Sequence, residues 1–99
     1  MLLKTKSFQK TVAAAGTAEQ LTENNGLNMP TVDIKALSTN AGLVYVGGSG
    51  VTSSNGYELA AGAAVSLEAS REERISLSDI WLDVGTNGEG VSVLYLEDK

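Results

Sequence analysis

From Thr31 to Ala36 apolar and polar side chains alternate without a break, Val32, Ile34 and Ala36 on one side, Asp33 and Lys35 on the other. A period of two belongs to β-structure, where successive side chains point to opposite faces, so this stretch predicts a half-exposed antiparallel strand. Leu43 to Val46 is apolar on both faces. So is the last strand, Val91 to Leu96, through Val91, Val93 and Tyr95 on one side and Leu94 and Leu96 on the other. Each is expected to lie centrally in its sheet or to be covered by another subunit.

Shorter runs predict further strands at Tyr57 to Leu59, at Val65 to Leu67, and through Ile75, Leu77, Ile80, Leu82 and Val84, with Ser78-Asp79 as a turn or single helical loop. Glu19 to Thr22 predicts another short one. Residues 1 to 12, where Phe8, Lys10 and Val12 alternate with Gln9 and Thr11, form an extended N-terminal arm or a first strand, and residues 13 to 99 form a single β domain.

The punctuation between these runs is rich in Gly, Asn and Ser. Asn24-Asn25-Gly26 and Ala61-Gly62 read as turns, Ser38 to Gly42 as a five-residue hairpin loop, Asn87-Gly88 as a β-hairpin turn, and Gly47 to Gly56 as a flexible or bulged hairpin end. The only proline, Pro30, precedes the central strand, where its missing N–H costs least. Short, evenly spaced strands with no helical period give an all-β chain, a small antiparallel β-sandwich or jelly-roll-like barrel.

Length and composition narrow the picture. Ninety-nine residues support one hydrophobic core, and 42% hydrophobic with 19% charged residues is ordinary for a chain that folds. The absence of cysteine removes disulfides and thiolate chemistry; the absence of histidine removes the usual general base and the commonest transition-metal ligand. No carboxylate pair is recognisably spaced for acid and base roles, so the sequence reads as non-enzymatic and without a cofactor.

A net charge of −5 and a pI near 4.5 argue against a nucleic-acid partner, which needs clustered Lys and Arg. No apolar run reaches the roughly 18 residues of a membrane span, and Met1-Leu2-Leu3-Lys4 lacks the apolar segment of a signal peptide, so no membrane partner and synthesis in the cytosol are expected.

Two motifs imitate ligand sites. Gly47-Gly48-Ser49-Gly50 has the glycine content of a phosphate loop, but no lysine and no helical period follow it. Counted from Asp83, the stretch to Leu94 matches a calcium loop at positions 1, 5 and 6, fails at Gly85 and Leu94, and lacks flanking helices. Neither carries a ligand assignment. The run Ser70-Arg71-Glu72-Glu73-Arg74 reads as a solvated loop.

The segments Val44-Tyr45-Val46-Gly47, Ser53-Ser54-Asn55-Gly56-Tyr57-Glu58-Leu59, Ser76-Leu77-Ser78-Asp79-Ile80-Trp81-Leu82-Asp83 and Asn87-Gly88-Glu89-Gly90-Val91-Ser92-Val93-Leu94-Tyr95 carry a family likeness. Over roughly residues 31 to 96 the chain resembles small β-structured virion proteins of tailed bacteriophages, the capsid decoration (cement) or head-fibre modules. The resemblance implies a homotrimer on the capsid surface, made in the host cytoplasm, that holds neighbouring subunits of the major capsid protein together. It transfers no catalytic residue.

The side chains expected at partner contacts are Leu2, Leu3 and Phe8 near the N-terminus, with Tyr45, Trp81 and Tyr95. Trp81 is the favoured anchor, since Trp is enriched at subunit contacts. The competing reading is a surface binding module in which Tyr45, Tyr57 and Trp81 meet a carbohydrate or host receptor.

Overall fold

The computed structural model describes residues 3–70 and 72–98. Ten strands follow in chain order: β1 (Leu3–Thr11), β2 (Glu19–Gln20), β3 (Asn28–Met29), β4 (Thr31–Ala36), β5 (Val44–Gly47), β6 (Tyr57–Leu59), β7 (Ala64–Glu68), β8 (Ile75–Ser76), β9 (Trp81–Val84) and β10 (Gly90–Asp98). A single 3-10 turn, Leu77–Asp79, stands before β9, at the place where the sequence predicts a turn or helical loop.

The pairing is nested. β5 pairs with β6, β4 with β7, β3 with β8, β2 with β9 and β1 with β10, all antiparallel. The chain is therefore one long hairpin whose apex is the loop 48–56. Two more pairings, β10 with β4 and β9 with β5, roll this hairpin into two four-stranded sheets, ordered β1-β10-β4-β7 and β2-β9-β5-β6. With the small β3–β8 pair set aside, this is jelly-roll connectivity, a two-sheet sandwich of eight strands.

Rolling follows from the alternation. A two-stranded ribbon with one apolar face is not stable in water, and it gains stability when that face meets another like it. In β4 the expected pattern holds residue by residue: Val32, Ile34 and Ala36 are buried, Asp33 and Lys35 exposed. Opposite them in the register stand Tyr95, Val93 and Val91 of β10, and the second sheet contributes Val44, Val46, Leu82 and Val84. These side chains join Val12, Leu21, Met29, Leu59, Leu77 and Ile80 in one continuous core. The two strands that are apolar on both faces, β5 and β10, each lie inside a sheet with a neighbour on either side.

The structure decides between the two readings of the N-terminus and corrects the hairpin reading of two loops. Residues 3–11 are not an extended arm: they pair with β10 from Leu3 opposite Asp98 to Thr11 opposite Gly90, as an edge strand. Phe8 packs edge-on against Tyr95 with ring centroids 6.0 Å apart, and Val12 is buried, which ties the segment down. Lys4, Lys6 and Lys10 along this edge discourage the addition of a further strand.

The loops 38–42 and 85–89 are not hairpin turns, because β4 and β5, like β9 and β10, belong to different sheets. Both carry the chain across the sandwich. Gly88, with φ of 82°, still supplies the left-handed turn residue that Asn87-Gly88 predicts.

The apex loop is a hairpin end, joining the paired strands β5 and β6, and it is held by bonds of its own. Val51 is buried over β5, so close to Gly47 and Gly56 that a Cβ at either would stand 2.8 or 2.9 Å from Val51 Cγ2. Thr52 N–H donates to Asn55 Oδ1 at 2.8 Å, Gly56 N–H to Thr52 O at 2.9 Å and Val51 N–H to Gly48 O at 3.0 Å.

Candidate interaction surfaces

The carboxylates and amides that a reader of the sequence would test for chemistry bind the backbone instead, mostly at one end of the sandwich. Glu89 closes the 38–42 crossover: its Oε2 accepts from Ala41 N–H at 2.6 Å and its Oε1 from Gly42 N–H at 2.9 Å. Asn40 is buried and donates through Nδ2 to Gly90 O at 2.9 Å. Asn87 Oδ1 accepts from Ala15 N–H at 2.8 Å, which holds the 12–18 loop against the 85–89 crossover.

Asp83 is only 3% exposed, and its Oδ1 accepts from Gly16 N–H at 2.9 Å and Val84 N–H at 2.8 Å. Each of these groups joins loops that are far apart in sequence. Among the described residues no three His, Cys, Asp or Glu side chains converge as a metal site.

Glu19 bridges β1 to the 12–18 loop. Its Oε1 meets Lys10 Nζ at 2.7 Å and its Oε2 accepts from Ala13 N–H at 2.8 Å. The Lys10 hydrogen bond, helped by the Ala13 amide, holds the Glu19 carboxyl below its ordinary value of 4.5. A carboxyl whose folded value is depressed adds stability above its unfolded value and loses it as pH falls through the folded one. Glu19→Gln should therefore cost about 0.5 kcal/mol near neutrality, where the pair is intact but partly solvated. In urea titrations at a series of acid pH values, this difference should shrink from about pH 4.5 downward. A difference that stays constant to strongly acid pH would contradict the assignment.

The apex loop does not have the loop-to-helix setting of a phosphate loop. It leads into β6 rather than a helix, and the N–H groups of Val51, Thr52, Ser54, Asn55 and Gly56 all bond within the loop. In the charged run Ser70, Glu72, Glu73 and Arg74 are exposed, as expected, with Ser70 Oγ donating to the Glu73 carboxylate and Arg74 donating to Glu73 O at 3.0 Å. Arg71 lies outside the described residues.

Among the described residues, the large apolar side chains most exposed to solvent, Leu3, Leu94 and Tyr57, lie on two surfaces. The first is the outer face of the β1–β10 ribbon. Leu3 is 46% exposed and Leu94 45%, and Leu96 lies half-buried between them on the same face. The ribbon also outruns its neighbour: β4 is paired with β10 only along Val91 to Tyr95, while β1 continues to Asp98. Beside Leu94 the sheet is hollowed by a shallow depression lined by Ser7, Asp33, Ala64, Ser66 and Ser92.

The second is a crevice at the open side of the sandwich, between edge strands β6 and β7. Val46, Val65, Leu67 and Ile80 line a space of about 400 Å³, and Tyr57 stands at its lip, 61% exposed.

The residues singled out from sequence fall into separate places. Leu2 lies outside the described residues. Leu3 is on the ribbon. Phe8 is half-buried and Tyr95 only 8% exposed, and the two pack on each other as part of the core. Tyr45 and Trp81 are half-buried on the outer face of the second sheet, Tyr45 opposite Asp83 and Trp81 opposite Gly47.

Tyr57 belongs to the other face of that sheet, since it pairs with Val46. The three aromatics Tyr45, Tyr57 and Trp81 therefore do not form one platform. Sequence reasoning did not single out Val65 and Leu67 as surface-forming: their alternation reads as core, and only the edge position of β7 leaves them half-covered.

No family model, curated protein or solved structure matches this chain. No helix among the described residues is long and apolar enough to cross a membrane.

Proposed function

We propose that this protein is a non-enzymatic structural component of a phage virion, a capsid decoration protein. In this reading it assembles as a homotrimer on the capsid surface and stabilises contacts between major capsid subunits. The observation that carries the reading is the β1–β10 ribbon, which extends past the rest of its sheet and presents Leu3, Leu94 and Leu96 on one face. Exposed leucines on a paired ribbon suit a repeated protein contact better than they suit solvent. Weak contacts repeated over a shell gain through avidity.

The jelly-roll connectivity is compatible, since capsid and lectin domains use it, but that support is fold-level analogy. Exposure puts Leu94 ahead of the half-buried Trp81 as the leading contact residue.

Light scattering and capsid co-sedimentation test the proposal. Leu94→Asp should weaken trimer assembly or capsid binding by about 2 kcal/mol, the scale of a central apolar contact, with Trp81→Ala weaker in effect. A wild-type protein that is strictly monomeric and leaves purified capsids bare would overturn the reading. If that monomer bound cell-surface glycans, with Tyr57 and the crevice perturbed in NMR spectra, a surface binding module would replace it.

A further inference from the structure

The chain contains three Asn-Gly steps, Asn25-Gly26, Asn55-Gly56 and Asn87-Gly88. Asparagine is thermolabile, and most so before glycine, whose missing Cβ leaves the next peptide nitrogen free to approach the side chain. In the reaction the glycine peptide nitrogen gives up its proton and attacks Asn Cγ, forming a five-membered imide. The bond from Cγ to the side-chain nitrogen breaks, and that nitrogen leaves as ammonia. Water then opens the imide at either carbonyl, which yields aspartate or isoaspartate. No oxidant or reductant is needed.

The step requires a side chain that can rotate over the following peptide and a glycine N–H that can be released, so the fold decides which of the three reacts.

Asn55 is pinned at every point. Its Oδ1 accepts from Thr52 N–H at 2.8 Å, its Nδ2 donates to Gly50 O at 3.3 Å, and Gly56 N–H donates to Thr52 O at 2.9 Å. Gly56 is also wedged, since a Cβ there would stand 2.5 Å from Tyr45 Cβ. Asn87 is held likewise: Oδ1 accepts from Ala15 N–H at 2.8 Å and Gly88 N–H donates to Val12 O at 2.8 Å, both across the crossover end of the sandwich.

Asn25 differs. All three asparagines are exposed, but the Asn25 side chain makes no hydrogen bond among the described residues, and only its backbone carbonyl is held, accepting from Asn28 Nδ2 at 3.3 Å. Gly26 N–H is bonded only to Asn24 Oδ1, at 2.8 Å, an exposed side chain that can swing away without disturbing a strand.

We infer that Asn25 is a site of spontaneous modification by water, converting to aspartate and isoaspartate in the folded protein, while the fold protects Asn55 and Asn87. Conversion adds a negative charge beside Glu23 and removes no contact made by the Asn25 side chain. The isoaspartate form also inserts a methylene into the backbone ahead of β3, where Leu27 N–H donates to Asn24 O at 3.2 Å and Asn28 N–H to Gly26 O at 3.1 Å. It therefore loosens the seat of the β3–β8 pair.

The test is peptide mapping by mass spectrometry with isoaspartate detection, on the full chain aged in mildly alkaline buffer, folded and in concentrated urea. In the folded protein Asn25 should convert at least about tenfold faster than Asn55 or Asn87, because pinned sites react only from locally opened molecules. In urea the three rates should approach one another, and Asn25→Gln should abolish early conversion of the folded protein without changing the other two sites. Folded Asn55 or Asn87 reacting as fast as Asn25, or Asn25 staying intact in folded protein while it converts in urea, would overturn the inference.

Discussion

Gly90→Ala should destabilise the protein by about 3 kcal/mol, the upper end of what overpacking usually costs. Gly90 opens β10 opposite Thr11, and the place its Cβ would occupy is 2.0 Å from Lys10 O, 2.6 Å from Thr11 Cα and 2.9 Å from Lys10 C. All three atoms are backbone, so no side-chain rotation relieves the clash: β1 or β10 must move. Movement there also strains two bonds that close the crossover end, since Gly90 O accepts from Leu37 N–H at 3.0 Å and from Asn40 Nδ2 at 2.9 Å.

A domain of this size holds only about 5–15 kcal/mol in total, so the variant should melt several degrees lower at least and populate unfolded chains visibly. Gly48→Ala is the control. Nothing lies within 4 Å of a Cβ at Gly48, and its effect should stay within about 0.5 kcal/mol. Equal urea midpoints for the two variants would contradict the account of Gly90.

Asp83→Ala should cost about 2 kcal/mol, because two backbone donors lose a charged acceptor at a buried position. The carboxylate lies on the outer face of β9, yet is covered because the 12–18 loop folds over it and Gly16, at φ of 90°, turns its N–H inward. Without the carboxylate this loop has lost the bond that holds its middle. Hydrogen exchange at Gly16 and Ala15 should then accelerate more than exchange in β4, whose strand pairing is with β7 and β10.

Asp83→Asn keeps an oxygen acceptor and should lose less than Asp83→Ala. If both substitutions cost the same, or if exchange at Gly16 does not change, the carboxylate is not what holds the loop.

The alternation of Val32, Ile34 and Ala36 with Asp33 and Lys35 made β4 and its buried face legible, because strand periodicity is a local property of the chain. The two apolar faces of β5 and β10 left central placement and cover by another subunit open; the sheet order gives each strand a neighbour on either side, while Leu94 stays exposed on the outer face of β10. The 3-10 turn at Leu77–Asp79 was readable from Ser78-Asp79 interrupting the apolar series.

Partner choice was not legible in the same way. Ser38 to Gly42 and Asn87-Gly88 have hairpin composition, and what makes them crossovers is the pairing of β4 and β10 with each other and of β5 and β9 with each other. The roles of Glu89, Asn40, Asn87 and Asp83 in joining loops were equally hidden, since the partners they reach across the fold lie 47 to 72 residues away.

By itself, then, the sequence determined the all-β character, the inward and outward faces of its main strands, and the lack of histidine and cysteine chemistry, each set by residue type or by spacing along a few neighbouring residues. The tertiary structure decided that the hairpin rolls into two sheets. It also decided that Tyr95 and Phe8 turn into the core while Leu3 and Leu94 stay outside, and which Asn-Gly steps are pinned. Those outcomes depend on which distant backbone groups meet, and hydrogen bonds between segments fifty residues apart leave no periodic trace in the chain that makes them.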